Sequence, residues 1–598
     1  MNKRLICLLL SLIMLLSGCL VSCSQKSDEE ENANTVEQGS ESTITLSMYL
    51  VSEKEVSEEQ AAAIQTAVNK ITKSKFKTQL ILNFLTEDQY YSVLEKTIRD
   101  AEEAKAAREA AEKENKKNNV TTAASKDGET TAEETIINEY GVVELKYPSL
   151  DEYQVDIFYL SSYDKLEEYL ENDWLSRLDD ELTSSSKLLN TYVAPEYLKY
   201  MKSISNGTYA IPNNKAIGEY TYLLLNKEIL NQYFYTADGV SSDLSDFTSL
   251  TCDNCKELLE YVSKYNPDYL PLKSFTGELD IANFQYWGID ENGNLSNEFS
   301  VFGGSYDPSM KYLTKDSYAP FANIFSLSTF RNQVSSLLEY KEKGYYGTEA
   351  DADKKFAVGY VKGGAELAEI YGDEYEMVVV GAPTLNTADV FENMFAVSSY
   401  TKSVSRSMEI ITYLNTNADF RNLIQYGIEG ENYELVDSEQ ADSEGNPYKV
   451  VRRLNDNYLM DINKTGNVLI AYPTESEYGN LREYSKIQNR DAKISLSMGF
   501  SLKYNGMSVN VTAMNAAREL SAELYEKMMA CQTVEELNDF FTFARNEVMN
   551  NDSLKKMMDT TYFDENVDVE KYGEGDGFNA IYNSWLIDNK IYVPDAEE

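Results

Sequence analysis

Val155-Asp-Ile-Phe-Tyr-Leu160 runs into Ser161-Ser-Tyr163, and the stretch continues through Asn206-Gly-Thr-Tyr-Ala-Ile-Pro-Asn-Asn214 to Tyr220-Thr-Tyr-Leu-Leu-Leu-Asn-Lys-Glu-Ile-Leu230. Its reading decides the fold. Val155–Leu160 is a short apolar run closed by polar residues, which predicts a buried strand whose C-terminal end opens onto a crevice. Asn206-Gly207 supplies a turn, Tyr209–Ile211 predicts a second strand, and Pro212-Asn-Asn214 stops it. Tyr220–Asn226 predicts a third strand, after which the chain restarts as a helix.

Towards the N-terminus, Thr43–Leu50 alternates as a strand, Glu58–Thr72 has helical spacing, and Thr78–Leu85 is another apolar strand. A β-α-β start of this kind implies a parallel sheet with a right-handed crossover. The next helix, from Thr86, runs into a charged insertion over about 100–138, rich in Ala, Glu and Lys but without a sustained apolar face. The insertion is expected to be a solvent-exposed helical extension followed by a disordered loop. A coiled-coil partner is the alternative, against which stands the absence of heptads. Order resumes with a strand at Val142–Leu145.

Beyond Leu230 the chain is expected to build a second lobe. Its predicted helices are Asn254–Lys264 and one around Val334–Lys343, with a hairpin from Tyr286 whose turn is marked by Asn292-Gly293. Strands at Phe356 onward and Glu376–Val380 precede a helix over Ser405–Asn415. Gly427 and Gly430 permit positive φ, so the chain can turn back as paired strands at Tyr433–Val436 and Tyr448–Leu454. From Asp491 the pattern is helical, with an apolar stripe along Ala513–Met529.

At 598 residues the chain is too long for one core. Asp and Glu number 99 against 54 Lys and Arg, a formal net charge of −45. Such a surface repels phosphate backbones and argues against a nucleic-acid partner. Histidine is absent, which removes Ser-His-Asp, Cys-His and His-metal chemistry. Cys252-Asp-Asn-Cys255 lacks a second ligand pair and is read as two helix-start cysteines. Asp290, Asn292, Asn294 and Glu298 do not follow a calcium-loop spacing, and Gly363-Gly364 lacks the frame of a phosphate cradle. No metal and no cofactor are expected.

Lys3-Arg4 precede an apolar run, Leu5–Leu16, that is too short to span a bilayer. Leu16-Ser-Gly-Cys19 and Leu20-Val-Ser-Cys23 both fit a bacterial lipobox, in which a small residue precedes the cysteine to be acylated. Residues 1–23 therefore read as a lipoprotein signal peptide and 24–41 as a flexible tether. Gly18 favours Cys19, whereas the polar residues after Cys23 favour Cys23, and both stay open.

Two blocks carry a family resemblance. The first comprises Asp156–Tyr163, Trp174-Leu175, Leu178-Asp179, Gly207–Pro212 and Asn226-Lys-Glu-Ile-Leu230. The second comprises Met394-Phe-Ala-Val-Ser-Ser-Tyr-Thr-Lys402 and Tyr426-Gly-Ile-Glu-Gly-Glu-Asn-Tyr-Glu-Leu435. Between about Ser42 and Leu454 the chain resembles the lipoprotein solute-binding proteins of ABC importers, near sugar-binding family 1. The resemblance implies an α/β, two-lobed periplasmic-binding-protein-like fold of type II, with a hinge between the lobes and a helical C-terminal part. Lobe one would span 42–217 and lobe two 218–390, with 391–598 returning to lobe one and ending in a helical extension.

The function implied is non-enzymatic. A small solute is captured by lobe closure and delivered to an ABC permease by a protein held through its lipid anchor at the outer face of the cytoplasmic membrane. An oligosaccharide is the favoured solute, since aromatic faces stack on the C–H faces of sugars and the chain holds 45 Tyr and 3 Trp. Candidate contacts, chosen at predicted strand ends, are Tyr49, Glu53, Ser162, Tyr163 and Asn213, with Glu219 beside the hinge. In the second lobe they are Trp287, Tyr306, Asp307, Glu392 and Asn393, with a core position an equal alternative for Trp287. Two other classes remain at this point. One is a surface carbohydrate hydrolase using a carboxylate pair such as Glu219 with Asp307. The other is a structural or adhesive lipoprotein whose working part is the charged insertion.

Overall fold

The computed structural model describes residues 43–117, 135–137, 143–145, 154–193, 195–236, 243–274, 284–289, 295–296, 298–305, 322–347, 354–441, 444–495 and 508–557. The readings of residues 1–23 and 24–41, of the loop after Lys117, of the Asn292-Gly293 turn and of Tyr306 and Asp307 fall outside them.

The first lobe grows from the predicted β-α-β unit. Strand Ile44–Ser52 pairs in parallel with Thr78–Thr86, in register from Ile44 opposite Thr78 to Ser52 opposite Thr86. Helix Glu58–Phe76 joins them. Ser57 caps it by accepting the Gln60 N–H at 3.2 Å, and Ile64, Val68 and Thr72, four residues apart, turn one buried stripe to the sheet. Strand Ile157–Leu160 adds in parallel beside Met48 and Tyr49. Strand Met394–Val397 then enters antiparallel between Ile157–Leu160 and Ala210–Pro212. Four strands of the resulting five-stranded sheet are buried on both faces, which is why they read as nearly continuous apolar runs, whereas the edge strand Thr78–Thr86 leaves Ile81 exposed.

Asp156 locks this sheet. Its carboxylate is fully buried and accepts the Ser47 N–H at 2.7 Å, the Thr401 hydroxyl at 2.7 Å and the Lys402 N–H at 3.0 Å. The Asp of the first sequence block and the Thr-Lys of the second, remote in sequence, are therefore two halves of one hydrogen-bonded knot. A buried carboxylate is tolerable only when so satisfied.

The second lobe is built on a four-stranded sheet ordered Tyr375–Gly381, Tyr220–Asn226, Phe356–Gly363, Leu270–Ser274. Along its central strand, Tyr220, Tyr222 and Leu224 pack into one cluster while Leu223 and Leu225 pack into another. The period of two buries both faces. Helix Asp253–Tyr265 covers one of them through Cys255, Leu258, Leu259 and Val262, and the Cys252 sulfur caps its first turn by accepting the Cys255 N–H at 3.4 Å. The two cysteines are helix-start residues, as their spacing before an amphipathic run predicts.

Helices Ser508–Ala530 and Val534–Asn550 share a core with Phe284, Trp287, Phe302, Phe325 and Phe330. The predicted strand pair after Gly430 is present, with Tyr433–Ala441 antiparallel to Pro447–Arg453. Gly427 and Gly430 stand at φ 86° and 83°. A Cβ on Gly427 would lie 2.5 Å from the Asn432 side-chain oxygen, so this turn requires glycine.

Candidate functional site

A cavity of about 620 Å³ opens at the C-terminal edge of the first sheet. Val51, Ser52 and Glu53 enter it from the end of one strand, and Thr86, Glu87 and Asp88 from the end of its neighbour. Parallel strands bring all their C-terminal ends to one edge, and such an edge is where open α/β sheets bind ligands. Asp461 and Lys464 close the cavity from a distant part of the chain, and Lys464 pairs with Glu87 at 3.1 Å.

The segment carrying Asp461 and Lys464 has little regular structure of its own. It is held by side chains of helix Ala418–Tyr426, and Asn467 within it donates to the Asn415 carbonyl at the end of helix Val404–Thr416 at 3.0 Å. Arg421 donates to the Ile462 carbonyl at 2.7 Å, Gln425 to the Met460 carbonyl, and Asn422 to the Ile470 carbonyl at 3.4 Å. The Tyr458 hydroxyl returns a bond to the Ile424 carbonyl at 2.6 Å, and Thr465 donates to Gln425. Arg421, Asn422, Gln425 and Thr465 are all buried, so these bonds are shielded from water and costly to leave unmade. Burial holds the Arg421 guanidinium below its ordinary pKa, at about 10. Asp461 fixes its own turn by accepting the Asn463 N–H at 2.8 Å.

Beside the cavity the chain crosses between lobes. Glu53 N–H donates to the Leu459 carbonyl at 3.0 Å, Asn213 N–H to the Asn393 carbonyl at 2.8 Å, and Asn213 Nδ2 to the Asn463 carbonyl at 2.8 Å. The Tyr159 hydroxyl donates to Asn393 Oδ1 at 2.6 Å, and its pKa is raised, first by burial and then by Tyr91, Asp461, Glu87 and Glu392 nearby. The cavity acids and the crossing thus share one electrostatic environment.

The joint itself is clamped by helix Leu481–Asp491. Gln488 accepts the Ala365 N–H at 3.0 Å and donates to the carbonyls of Ile217 at 3.0 Å and Gly218 at 2.5 Å. Asn489 accepts the Ile217 N–H at 2.8 Å and donates to the Lys215 carbonyl at 2.7 Å. The Tyr220 hydroxyl donates to Asp491 at 2.9 Å, a bond that, with Arg490, holds Asp491 below the usual carboxylate range. Gly218 adopts φ 54°, with the Thr384 backbone nitrogen 2.7 Å from where a Cβ would sit.

The candidates chosen by sequence fall into distinct places. Glu53 lines the cavity. Ser162 caps helix Tyr163–Glu171 by accepting the Lys165 N–H at 3.4 Å, and the Tyr163 ring meets Phe391 edge-on at 4.8 Å. Asn213 and Asn393 are buried and serve the crossing, whereas exposed Glu392 pairs with Lys215. Glu219 is exposed next to Gly218.

Tyr49 is a correction. The strand runs on through Val51 to Ser52 instead of ending at Leu50, which leaves Tyr49 inside the core. For Trp287 the structure takes the core alternative, with the ring fully buried in the cluster shared with the C-terminal helices. Ser52, Thr86, Glu87, Asp88, Asp461 and Lys464 were not anticipated. The first four follow from placing the two strand ends correctly, but Asp461 and Lys464 lie in a segment without periodicity. Among the described residues, no group of three or more acidic or cysteine side chains could hold a metal ion, and no helix is long and apolar enough to cross a membrane.

No family model matches the chain. A carbohydrate ABC transporter substrate-binding protein of Streptococcus pneumoniae is 22% identical over 340 residues, which cover 53% of this chain and 62% of that relative. Among solved structures, the N-glycan transport solute binding protein (NgtS) of Streptococcus pneumoniae is similar with a TM-score of 0.47 and 17% identity, over 91% of this chain and 99% of that one. An extracellular solute-binding protein family 1 member from Alicyclobacillus acidocaldarius is similar with a TM-score of 0.37 and 11% identity, over 85% and 99%.

Proposed function

We propose that this protein is the solute-binding component of an ABC importer, capturing a carbohydrate at the C-terminal edge of its first sheet and closing the second lobe over it. The cavity at the strand ends, beside a glycine-jointed crossing, carries this reading. It supplies a concave site of ligand size next to a place where φ and ψ can change. The similarity to a curated carbohydrate-binding relative supports the solute class. Closure is driven by the difference in ligand affinity between closed and open forms, and no step of chemistry is needed.

Lipid anchorage through Cys19 or Cys23, display on the outer face of the cytoplasmic membrane and delivery to a permease belong to the same proposal. The lipobox pair motivates the anchor. Mass spectrometry of the mature N-terminus identifies the acylated cysteine, and an unmodified terminus contradicts anchorage. Calorimetric titration with a panel of neutral oligosaccharides tests the receptor reading. Saturable binding to one class is expected, and binding to none of them, alongside tight binding of peptides, would contradict it.

Of the candidate contacts, Glu53 has the most direct route to solute, because its exposed carboxylate lines the cavity. Ser162, Tyr163, Glu219 and Glu392 flank the crossing and would meet solute only as the lobes approach.

A further inference from the structure

We propose that Gln65 and Asn69 act as a surrogate sixth strand, closing the outer edge of the first sheet against strand addition by a second copy of this chain. Among the described residues, Thr78–Thr86 is the outermost strand of that sheet and pairs only with Ile44–Ser52. An edge strand turns unpaired N–H and C=O groups outward, which makes it a template for another strand. Here those groups are taken by the preceding helix. Asn69 Nδ2 donates to the Leu80 carbonyl at 2.8 Å, and Asn69 Oδ1 accepts the Leu80 N–H at 2.6 Å. One turn earlier, Gln65 Oε1 accepts the Leu82 N–H at 2.8 Å. The carboxamide of Asn69 holds the donor and acceptor of a peptide group, and it exchanges both bonds with one residue as the facing residue of an antiparallel strand would.

The spacing fits this role. Four helical residues rise about 6.0 Å and two strand residues about 6.6 Å. Because the helix runs back against the strand, Gln65 meets Leu82 and Asn69 meets Leu80. Asn is among the weaker helix formers, and its place within helix Glu58–Phe76 is accounted for by these bonds, with the Thr72 hydroxyl also donating to its Oδ1 at 3.4 Å. Leu80 and Leu82 point into the core, whereas Ile81 between them faces the other side of the sheet and is 42% exposed. Without the two amides the strand would present outward main-chain groups beside an exposed apolar side chain. A second copy offers the same set, and a twofold pairing of the two edges satisfies both at once.

Sedimentation of the mature protein and of the Gln65→Ala, Asn69→Ala double variant over a concentration series tests the proposal, in salt that screens the net charge of −45. The natural sequence is expected to keep the mass of one chain, and the double variant to approach the mass of two as concentration rises. Adding Ile81→Lys to the double variant should return it to one chain, since lysine on an edge strand discourages pairing. Amide hydrogen exchange reads the same bonds directly. In the natural sequence Leu80 and Leu82 should exchange as slowly as Ile157–Leu160 in the sheet interior, and in the dilute variant about tenfold faster. A folded double variant that stays one chain at every concentration overturns the proposal, as does association that Ile81→Lys leaves unchanged. Fast exchange at Leu80 and Leu82 in the natural sequence overturns it whether or not the variants fold.

Discussion

Two neighbouring pieces of the same return segment are held in opposite ways. Tyr458–Ala471 is pinned entirely within the first lobe, by buried side chains that reach main-chain carbonyls and receive bonds back. Helix Leu481–Asp491, a few residues on, bonds to both sides of the crossing instead, to Lys215, Ile217 and Gly218 on one side and to Ala365 on the other. The first arrangement fixes Asp461 and Lys464 against the strand ends. The second spans a joint centred on a glycine at positive φ. In the receptor proposed above, the first would serve as a binding wall, which needs rigidity, and the second as a hinge, which needs a small number of exchangeable bonds.

The comparison breaks most visibly at Gln425. Gln425→Ala orphans the Met460 carbonyl in a buried setting and leaves the Thr465 hydroxyl only its 3.3 Å bonds to the Asp461 and Ile462 carbonyls, with an expected loss of about 1–3 kcal/mol in urea unfolding. A loss under about 0.5 kcal/mol would mean the loop is held by other means. On the hinge side, Gln488→Ala should cost about 1–2 kcal/mol, with its distinguishing effect on lobe geometry. Scattering of the unliganded variant should show a shifted radius of gyration that Gln425→Ala does not produce.

Gly218→Ala forces a non-glycine residue to positive φ against Thr384, at a cost of about 1–2 kcal/mol, and should weaken solute affinity through the joint without touching the cavity. Lys464→Ala should cost under about 1 kcal/mol, because its partner Glu87 is 79% exposed. Thermal melting of the unliganded protein reads that difference. The smallest effect is on pH. Asp491 has a depressed folded pKa, so its contribution is present above the unfolded value and lost as pH falls through the folded one. Asp491→Asn should therefore flatten the acid limb of the melting profile slightly.

The rigid side of the comparison was partly legible in sequence. Strands buried on both faces announce themselves as apolar runs, and Gly427 and Gly430 announced the turn they make. Asp156 stood at the head of one block and Thr401-Lys402 at the end of the other, but only the fold shows that they bond. Alternation alone ends the first strand at Leu50 and places Tyr49 among the site residues, whereas the strand runs to Ser52, which leaves Tyr49 in the core and brings Ser52 to the cavity lining. Asp461 and Lys464 were illegible for a different reason. Their position is set by Arg421, Asn422 and Gln425 on a helix whose buried polar residues look, in sequence, like ordinary surface positions. The hinge clamp was equally hidden, since Gln488 and Asn489 act through main-chain groups far away in the chain.

Small-angle scattering with and without a saturating oligosaccharide, chosen by calorimetry, tests the central claim most directly. Capture by closure predicts a smaller radius of gyration on binding, and a weaker contraction in Gly218→Ala. Tight binding with an unchanged radius in the natural sequence would contradict it.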